Sequence, residues 1–329
     1  MYSFIKSIKR QFMKYVFIVM ALLIMAVFFS INTGCTTTTT TIGKMIQYRS
    51  ITGIRTNIYV ATDKGIYISN DKGSSWTVKT KNDVSVYDIC IAGDYIYAGT
   101  SNGIYISNDN GNLWNIKNES NGIIGTYIQS IYAYGSNIYA GTDKAILMSI
   151  DNGTTWVNKM QVSWNRINSI FSYSTNIYAG DDVLYISNDS GTNWIEKENY
   201  DGTNRFYPTS ISGAGSYVYV ASSYGLRISN DNGSTWINND IVKGINDVFA
   251  VGSNVYTATY HGVFISTDNG STWVKRSPTN GEGKGEISGI FVSGNTIYTA
   301  NGYNGISISG DNGNTWKVYK PGESNFLTN

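Results

Sequence analysis

Aspartates are the residues of this 329-residue chain whose number and spacing could support chemistry. The chain has one histidine and two cysteines, too few for most metal sites, disulfide frameworks and Ser-His or Cys-His catalysis. The pattern Ser-x-Asp-x-Gly-x-x-Trp, by contrast, occurs seven times, first at Ser69–Trp76 and last at Ser309–Trp316. A carboxylate repeated in this way could hold calcium, serve as a catalytic acid or stabilise a tight turn.

We interpret this octet as a structural turn. Each copy brings one carboxylate, whereas a calcium site takes about six to eight oxygen ligands, so calcium is the weaker alternative and no metal or other cofactor is expected. In a turn, the carboxylate accepts backbone N–H bonds, the glycine supplies a positive φ, and the indole is buried against the core as an anchor. The octet aspartates are Asp71, Asp109, Asp151, Asp189, Asp231, Asp268 and Asp311. The octet tryptophans are Trp76, Trp114, Trp156, Trp194, Trp236, Trp273 and Trp316.

The octets belong to a longer repeat, with 240 residues from the first octet to the last in six steps, a mean of 40. In each unit a first strand with a fixed apolar residue precedes a strand with a tyrosine, a third apolar strand, and a short strand opened by the tryptophan. The second-strand tyrosines are Tyr59, Tyr97, Tyr139, Tyr178, Tyr219, Tyr256 and Tyr298. Four short antiparallel strands, repeated seven times, predict an all-β seven-bladed β-propeller over residues 45–329. One octet then lies at each third-to-fourth strand turn.

The residue before the fixed apolar position of the first strand is small or acidic in every unit. These residues are Ser50, Asp88, Ser130, Ser169, Ser210, Asp247 and Gly289. In a propeller, the innermost strands converge on the axis, where large side chains do not fit. We therefore expect this set to lie along an axial channel, with Asp88 and Asp247 as polar lining.

The first 44 residues differ from the repeats. A basic segment over 1–14 and a largely apolar run of 17 residues from Tyr15 to Ile31 predict a signal peptide at 1–34. The run is followed by Asn32-Thr33-Gly34-Cys35, and a glycine directly before a cysteine at this place resembles a bacterial lipoprotein signal. The resemblance implies a lipidated Cys35, export and a place in the bacterial cell envelope. An uncleaved membrane helix and a freely secreted product are the alternatives. Residues 35–44, which include six consecutive threonines, are expected to be a tether.

The charge balance gives no case for nucleic-acid binding. The chain has 24 basic and 23 acidic residues, but four of the bases lie in the first 34 residues, which contain no acid. The predicted propeller is therefore slightly acidic, and it lacks the basic surface that attracts phosphates. We expect a monomer whose partners are not nucleic acids.

The octet resembles the Asp-box, or BNR repeat, of sialidases and several other propeller families, in all seven units. In those families these turns lie on the face opposite the ligand site, which implies that the seven aspartates are structural. The resemblance to sialidases implies an arginine triad for the substrate carboxylate, and the first blade of that family typically has an Arg-Ile-Pro segment. Only six arginines follow the leader here, and the nearest counterpart of that segment is Arg49-Ser50-Ile51. The sialidase active-site motif is therefore absent from the sequence.

Some other families with Asp-boxes are enzymes, and others bind partners without catalysis. Xyloglucan hydrolases have seven-bladed propellers, but they place two face to face across the cleft, and this chain supplies one. The chain looks more like photosystem assembly factors and sortilin-type propellers, which bind partners without catalysis. We therefore predict a non-catalytic protein that binds a glycan or protein partner. A glycoside hydrolase, sialidase-like or other, is the alternative.

The binding surface is predicted on the face with the second-to-third strand turns and the connections between blades. Aromatic residues in these loops, interspersed with arginines, suit stacking on sugar rings or anchoring a peptide. The predicted binding residues, over blades four to seven, are Trp164, Arg166, Arg205, Tyr207, Tyr224, Tyr260, His261 and Tyr303. The alternative is that these side chains pack onto their own loops. No catalytic residue is predicted.

Overall fold

The computed structural model of the protein describes residues 45–80, 84–162, 166–197, 206–276 and 286–322. The predicted leader at 1–34 and the tether at 35–44, with Cys35, lie outside these residues. The described residues form seven four-stranded antiparallel sheets, each made of four strands that are consecutive in the chain. The predicted seven-bladed β-propeller is confirmed.

The strands of each blade follow the predicted repeat, except that the fourth strand begins one residue after the octet tryptophan. Blades one to three contain β1 (Tyr48–Ile54), β2 (Asn57–Thr62), β3 (Gly65–Ser69), β4 (Thr77–Val78), β5 (Val86–Ala92), β6 (Tyr95–Thr100), β7 (Gly103–Ser107), β8 (Asn115–Lys117), β9 (Ile128–Tyr134), β10 (Asn137–Thr142), β11 (Ala145–Ser149) and β12 (Val157–Gln161). Blades four and five contain β13 (Ser169–Tyr173), β14 (Asn176–Gly180), β15 (Leu184–Ser187), β16 (Ile195–Lys197), β17 (Ser210–Ala214), β18 (Tyr217–Ser222), β19 (Gly225–Ser229) and β20 (Ile237–Asn239). Blades six and seven contain β21 (Ile245–Val251), β22 (Asn254–Thr259), β23 (Gly262–Ser266), β24 (Val274–Arg276), β25 (Gly289–Ser293), β26 (Thr296–Ala300), β27 (Ile306–Ser309) and β28 (Lys317–Tyr319).

The hydrophobic core is divided among the interfaces between neighbouring blades. Between blades four and five, for example, Tyr178 and Ile186 pack with Ile211 and Val220. Because both faces of every sheet are covered by a neighbour, the second strands are apolar on both sides, and all seven second-strand tyrosines are buried. The fourth strands lie at the outer rim and are mostly exposed, as at Ile237.

One octet tryptophan packs at the edge of each interface cluster. These indoles are half-buried, not fully buried as expected, because each one covers the end of a cluster where the octet turn meets solvent. In five octets the indole Nε1 donates to the carbonyl of the octet glycine, as from Trp236 to Gly233 at 3.1 Å. The ring therefore fastens its own turn to the joint between two blades.

The octet aspartate organises the turn through both of its oxygens. In blade five, Oδ1 of Asp231 accepts hydrogen bonds from the Ser229 hydroxyl at 2.7 Å and the Thr235 N–H at 2.9 Å. Oδ2 accepts from the Thr235 hydroxyl at 2.7 Å. These bonds favour the ionised carboxylate and lower the pKa of Asp231 to about 2. Gly233 completes the turn with φ +82, a backbone conformation that favours glycine.

The ring closes by packing of complete blades, without exchange of a strand. Tyr48, at the start of β1, donates its N–H to the Gly302 carbonyl of blade seven at 2.7 Å. The hydroxyl of Tyr48 donates to the Pro321 carbonyl, also at 2.7 Å. Buried residues from blades one and seven form one cluster across this seam. The two ends of the described propeller are thus held together by both apolar contacts and hydrogen bonds.

Helical structure is minor in the described residues. The 3₁₀ segment Glu119–Asn121 follows the outer strand of blade two and is capped by Asn118. Within the part of the chain that the structure describes, no helix has the length and apolar character needed to cross a membrane.

Candidate functional site

Two sets of turns define opposite faces of the propeller. The second-to-third strand turns bond to the connections between blades, as where the Tyr260 N–H donates to the Gly244 carbonyl at 3.1 Å. We call this side the loop face. The octet turns bond to the first-to-second strand turns, as where the Asn232 N–H donates to the Ser216 carbonyl at 3.2 Å. We call that side the octet face.

The first strands of the seven blades enclose an axial channel of about 730 Å³. These strands run from the loop face to the octet face, so residues early in each strand lie at the loop-face mouth. That mouth is polar and includes Gln47, Arg49, Gln129, Arg166, Asn168, Asn246 and Glu286. The wall towards the octet face is largely apolar and includes Cys90, Tyr132, Phe171, Phe249 and Phe291. A polar ligand would therefore enter from the loop face.

Five of the seven small or acidic residues line the channel: Ser50, Asp88, Ser169, Ser210 and Asp247. At six of the seven blade interfaces, a side chain of this set forms a hydrogen bond with the neighbouring blade. The bonds join Ser50 to Asp88, Asp88 to the Ile131 N–H, Ser130 to the Ile167 carbonyl, Ser169 to the Ile211 N–H, Ser210 to Asp247, and Asp247 to the Ile290 N–H. At the seventh interface Gly289 packs directly against backbone atoms of Arg49, Ser50 and Ile51. This set therefore closes the ring near its axis.

Burial outweighs hydrogen bonding at the two channel aspartates. Asp247 accepts bonds from Ser210, Val248 and Ile290, and these bonds favour its charged form. Loss of water around the carboxylate nevertheless raises the pKa of Asp247 to about 6, with a smaller contribution from the charge of Asp88. Burial also raises the pKa of Asp88. Both oxygens of each carboxylate bond to neighbouring blades, which suits a structural role more than attack on a substrate.

A row with a guanidinium group at each end and two aromatic rings between them crosses the loop-face mouth from blade one to blade four. The guanidinium of Arg49 lies 4.8 Å from the ring centroid of Tyr87, and that of Arg166 lies 5.2 Å from the centroid of Tyr127. The two tyrosine rings are 6.4 Å apart and tilted by 52°. We call these four residues the Arg–Tyr row. Such a row can bind an anion through its guanidinium groups and an apolar group through its rings.

Sequence reasoning found only Arg166 of this row. Arg49 and Tyr87 directly precede the small residue of their first strands, and Tyr127 and Arg166 stand three residues before it. Aligning all seven units at that small residue and reading back one and three positions would have placed the four residues around one mouth.

Among the described residues, no ring or cation–π contact joins the other predicted binding residues to the row. Tyr224, Tyr260, His261 and Tyr303 are exposed on second-to-third strand turns of the loop face, and Tyr207 is half-buried. No ring contact joins any two of these aromatics among the described residues. Trp164 and Arg205 lie outside the described residues. A shared role of this set in binding stays a prediction.

One further aromatic residue of the loops, Phe206, packs in the core and is not available on the surface. Phe206, next to Tyr207, is buried in the cluster between blades four and five. The Arg227 guanidinium lies 4.3 Å from its ring centroid. This side chain supports the alternative that some loop aromatics belong to the core.

Metal and thiol chemistry find little support in the described residues. Among them, no group of three or more histidine, cysteine, aspartate or glutamate side chains could hold a metal ion. Cys90 is a free thiol, half-buried on the channel wall, and burial raises its pKa well above the ordinary value. A raised pKa disfavours the reactive thiolate.

No protein-family profile matches the sequence, and no curated protein matches it. Solved structures do share its architecture. An ancestral GH74 enzyme has a TM-score of 0.67 at 16% identity over 83% of this chain, and this chain spans 46% of that enzyme's chain. YCF48 bound to D1 peptide has a TM-score of 0.64 at 16% identity, with 84% of this chain and 94% of that chain covered. BamB from Moraxella catarrhalis has a TM-score of 0.53 at 15% identity, with 79% and 82% covered. Identities this low establish the common β-propeller fold and nothing finer.

Proposed function

We propose that the protein is an exported, non-catalytic β-propeller, anchored through a lipid on Cys35, that binds a protein partner at the loop-face mouth of its channel. The observation that carries the binding proposal is the Arg–Tyr row. It gathers charge and aromatic surface from four blades at the end of the channel that lies opposite the octet turns. The octet itself, with its likeness to Asp-box repeats, serves to hold this surface rigid.

The similar structures favour a protein partner over a glycan. YCF48 is a propeller seen with a bound D1 peptide, and it matches this chain over most of its own length. A surface made of guanidinium groups and tilted rings suits an extended peptide, whose side chains can point in different directions. The rings of Tyr87 and Tyr127 are inclined at 52°, so they do not form one flat surface on which a sugar chain could stack across both.

Glycoside hydrolysis is the second candidate, because an ancestral GH74 enzyme shares the fold. This chain spans less than half of that enzyme's chain. The channel carboxylates Asp88 and Asp247 each accept hydrogen bonds from two neighbouring blades, which favours a structural role over catalysis at a glycosidic bond. We therefore rank binding above hydrolysis.

Photo-crosslinking in the native cells tests the binding proposal. A benzophenone amino acid would replace Tyr127 on the loop face or, as the matched control, Tyr173 at the octet-face end of β13. These side chains are 39% and 42% exposed, so their reach into solvent is similar. We expect a discrete protein adduct from position 127 and none from position 173. Equal adducts at both positions, or none at position 127, would contradict the proposal.

The anchor needs a separate test, because binding does not depend on it. Cells would be fed an alkyne fatty acid, and the full chain would be compared with a C35S variant. We expect the label on the unaltered chain only, with the variant released from the membrane fraction. Equal labelling of the two chains would refute lipidation at Cys35.

A further inference from the structure

We infer that the Arg–Tyr row is a binding site for a carboxylate group carried by an extended peptide. This inference rests on the proposed function, because it names the chemistry of the partner that the loop face would bind. The row comprises Arg49, Tyr87, Tyr127 and Arg166, one residue from each of four consecutive blades. Its two charged ends and two central rings call for an anionic group beside apolar side chains.

Arg49 is held in place before any ligand arrives. Its Nε and Nη2 donate to Gln47 Oε1 at 3.2 and 3.0 Å, and its Nη1 donates to Ser85 Oγ and the Val86 carbonyl at 3.2 and 3.3 Å. A guanidinium has five N–H groups, so these four bonds leave a single one for a ligand. These partners are neutral, so none of the four bonds neutralises the positive charge of Arg49.

Arg166 is the arginine of the row whose N–H groups are available to a ligand. Its side chain is exposed, and its guanidinium is stacked over Tyr127 at 5.2 Å from the ring centroid. In the described residues it has neither a hydrogen bond nor an ion pair. A planar guanidinium with free N–H groups is the donor that binds a carboxylate through two parallel hydrogen bonds. The ring below fixes the plane in which those bonds would form.

Among the described residues, no ion pair joins a nearby acid to Arg49 or Arg166. Asp143 accepts the N–H groups of Thr126 and Tyr127 at 3.1 and 3.3 Å, so its carboxylate is bound to the backbone of the loop. Asp88 is bonded to Ser50 and Ile131 deeper in the channel. Glu286 lines the same mouth from blade seven and is exposed. It forms no bond to Arg49 or Arg166 among the described residues.

The spacing of the rings fits an extended peptide. The centroids of Tyr87 and Tyr127 are 6.4 Å apart. Alternate side chains on one side of an extended chain are separated by about 6.6 Å, at roughly 3.3 Å per residue. Two such side chains could each cover one tyrosine ring while a carboxylate further along reaches Arg166. The carboxylate could be the C-terminus of the partner or an aspartate or glutamate side chain.

Binding of the full chain, purified in detergent, to immobilised octapeptides would test the inference. One set would have a free C-terminal carboxylate, a second would have a C-terminal amide and neutral side chains, and a third would have the amide with one internal aspartate or glutamate. We expect the first or the third set to bind at least tenfold more tightly than the second, and the comparison identifies the source of the carboxylate. R166Q should remove this preference, whereas R55Q, which alters an exposed arginine of the octet face, should retain it.

The outcomes separate the two claims. If octapeptides bind and compete with the photo-crosslink at position 127 but show no preference for carboxylates, the carboxylate site is refuted and binding at the loop face stands. If no octapeptide binds while the crosslink forms, the inference also fails. An oligogalacturonate that binds with equal affinity and equal dependence on Arg166 would refute the assignment to peptides.

Discussion

Ser210 Oγ lies 2.6 Å from Asp247 Oδ1, so blade five donates a hydrogen bond to blade six beside the axis of the ring. The equivalent pair, Ser50 and Asp88, joins blades one and two at 2.8 Å. In both cases the second carboxylate oxygen accepts an N–H from the next blade. One acidic side chain thus links three blades, and this arrangement occurs on two sides of the channel.

The channel aspartates make stability depend on pH in the weakly acidic range. The pKa of Asp247 is about 6 in the folded protein, above the ordinary value of about 3.9 for an unfolded chain. Between these values the folded state binds more protons than the unfolded state, so stability should increase as the pH falls from about 6.5 to about 4.5. We expect a gain on the order of 1 kcal/mol in urea unfolding. Below this range the octet aspartates should reverse the trend, because hydrogen bonds lower the pKa of all seven, and to about 2 in six of them.

The variant D247N should reduce this gain, because its side chain does not titrate. D94N, which alters an exposed aspartate on the octet face, is the matched control and should keep the full gain. A stability that is flat or falls between pH 6.5 and 4.5 in the unaltered protein would show that burial does not dominate at Asp247.

Blade two has an incomplete octet turn that one substitution should repair. In the other six octets a Ser, Thr or Asn side chain donates to Oδ2 of the aspartate. Blade two has Leu113 at this position, and the Leu113 side chain is exposed. We expect L113T to add the hydrogen bond to Asp109 and to stabilise the protein by about 0.5–1 kcal/mol. I237T alters a side chain that is 68% exposed, against 76% for Leu113, and that has no such acceptor, so it should not stabilise the protein. A gain as large as that of L113T would reject the explanation.

The indole N–H should contribute to stability at Trp236 but not at Trp194. Nε1 of Trp236 donates to the Gly233 carbonyl, whereas Nε1 of Trp194 is buried and has no partner among the described residues. Replacement by phenylalanine keeps most of the ring and removes the donor. We expect W236F to cost about 1 kcal/mol more than W194F in chemical unfolding. Equal losses would mean that ring volume, and not the hydrogen bond, sets the cost.

The seam between blades seven and one should reject a side chain at Gly289. An added Cβ would lie 2.9 Å from the Arg49 carbonyl oxygen and 3.2 Å from Ser50 Cα, and backbone atoms cannot move aside easily. We expect G289A to lower the free energy of unfolding by about 1–3 kcal/mol. G310A is the control, since nothing lies within 4 Å of a Cβ at that glycine. If G289A leaves the free energy of unfolding unchanged, the seam has enough space for an added Cβ and the prediction is wrong.

The sequence predicted the features that repeat in every unit, but of the Arg–Tyr row, which does not repeat, it indicated only Arg166. Residues such as Tyr219, Trp236 and Asp231 stand at equivalent positions in every unit, so one physical role explains seven copies. The Arg–Tyr row differs in this respect, because Arg49 and Tyr127 occupy positions that vary between units. They meet only because ring closure brings four different connections to one mouth. The half-burial of the indoles depends on how far each turn extends past its cluster, which spacing does not specify.

Hydrogen–deuterium exchange of the full chain, alone and with the partner captured at position 127, tests the central claim most directly. We expect the partner to protect the starts of the first strands around Arg49, Tyr87, Tyr127 and Arg166, and to leave the seven octet turns unchanged. Protection confined to the octet turns or to the outer fourth strands would contradict binding at the loop-face mouth.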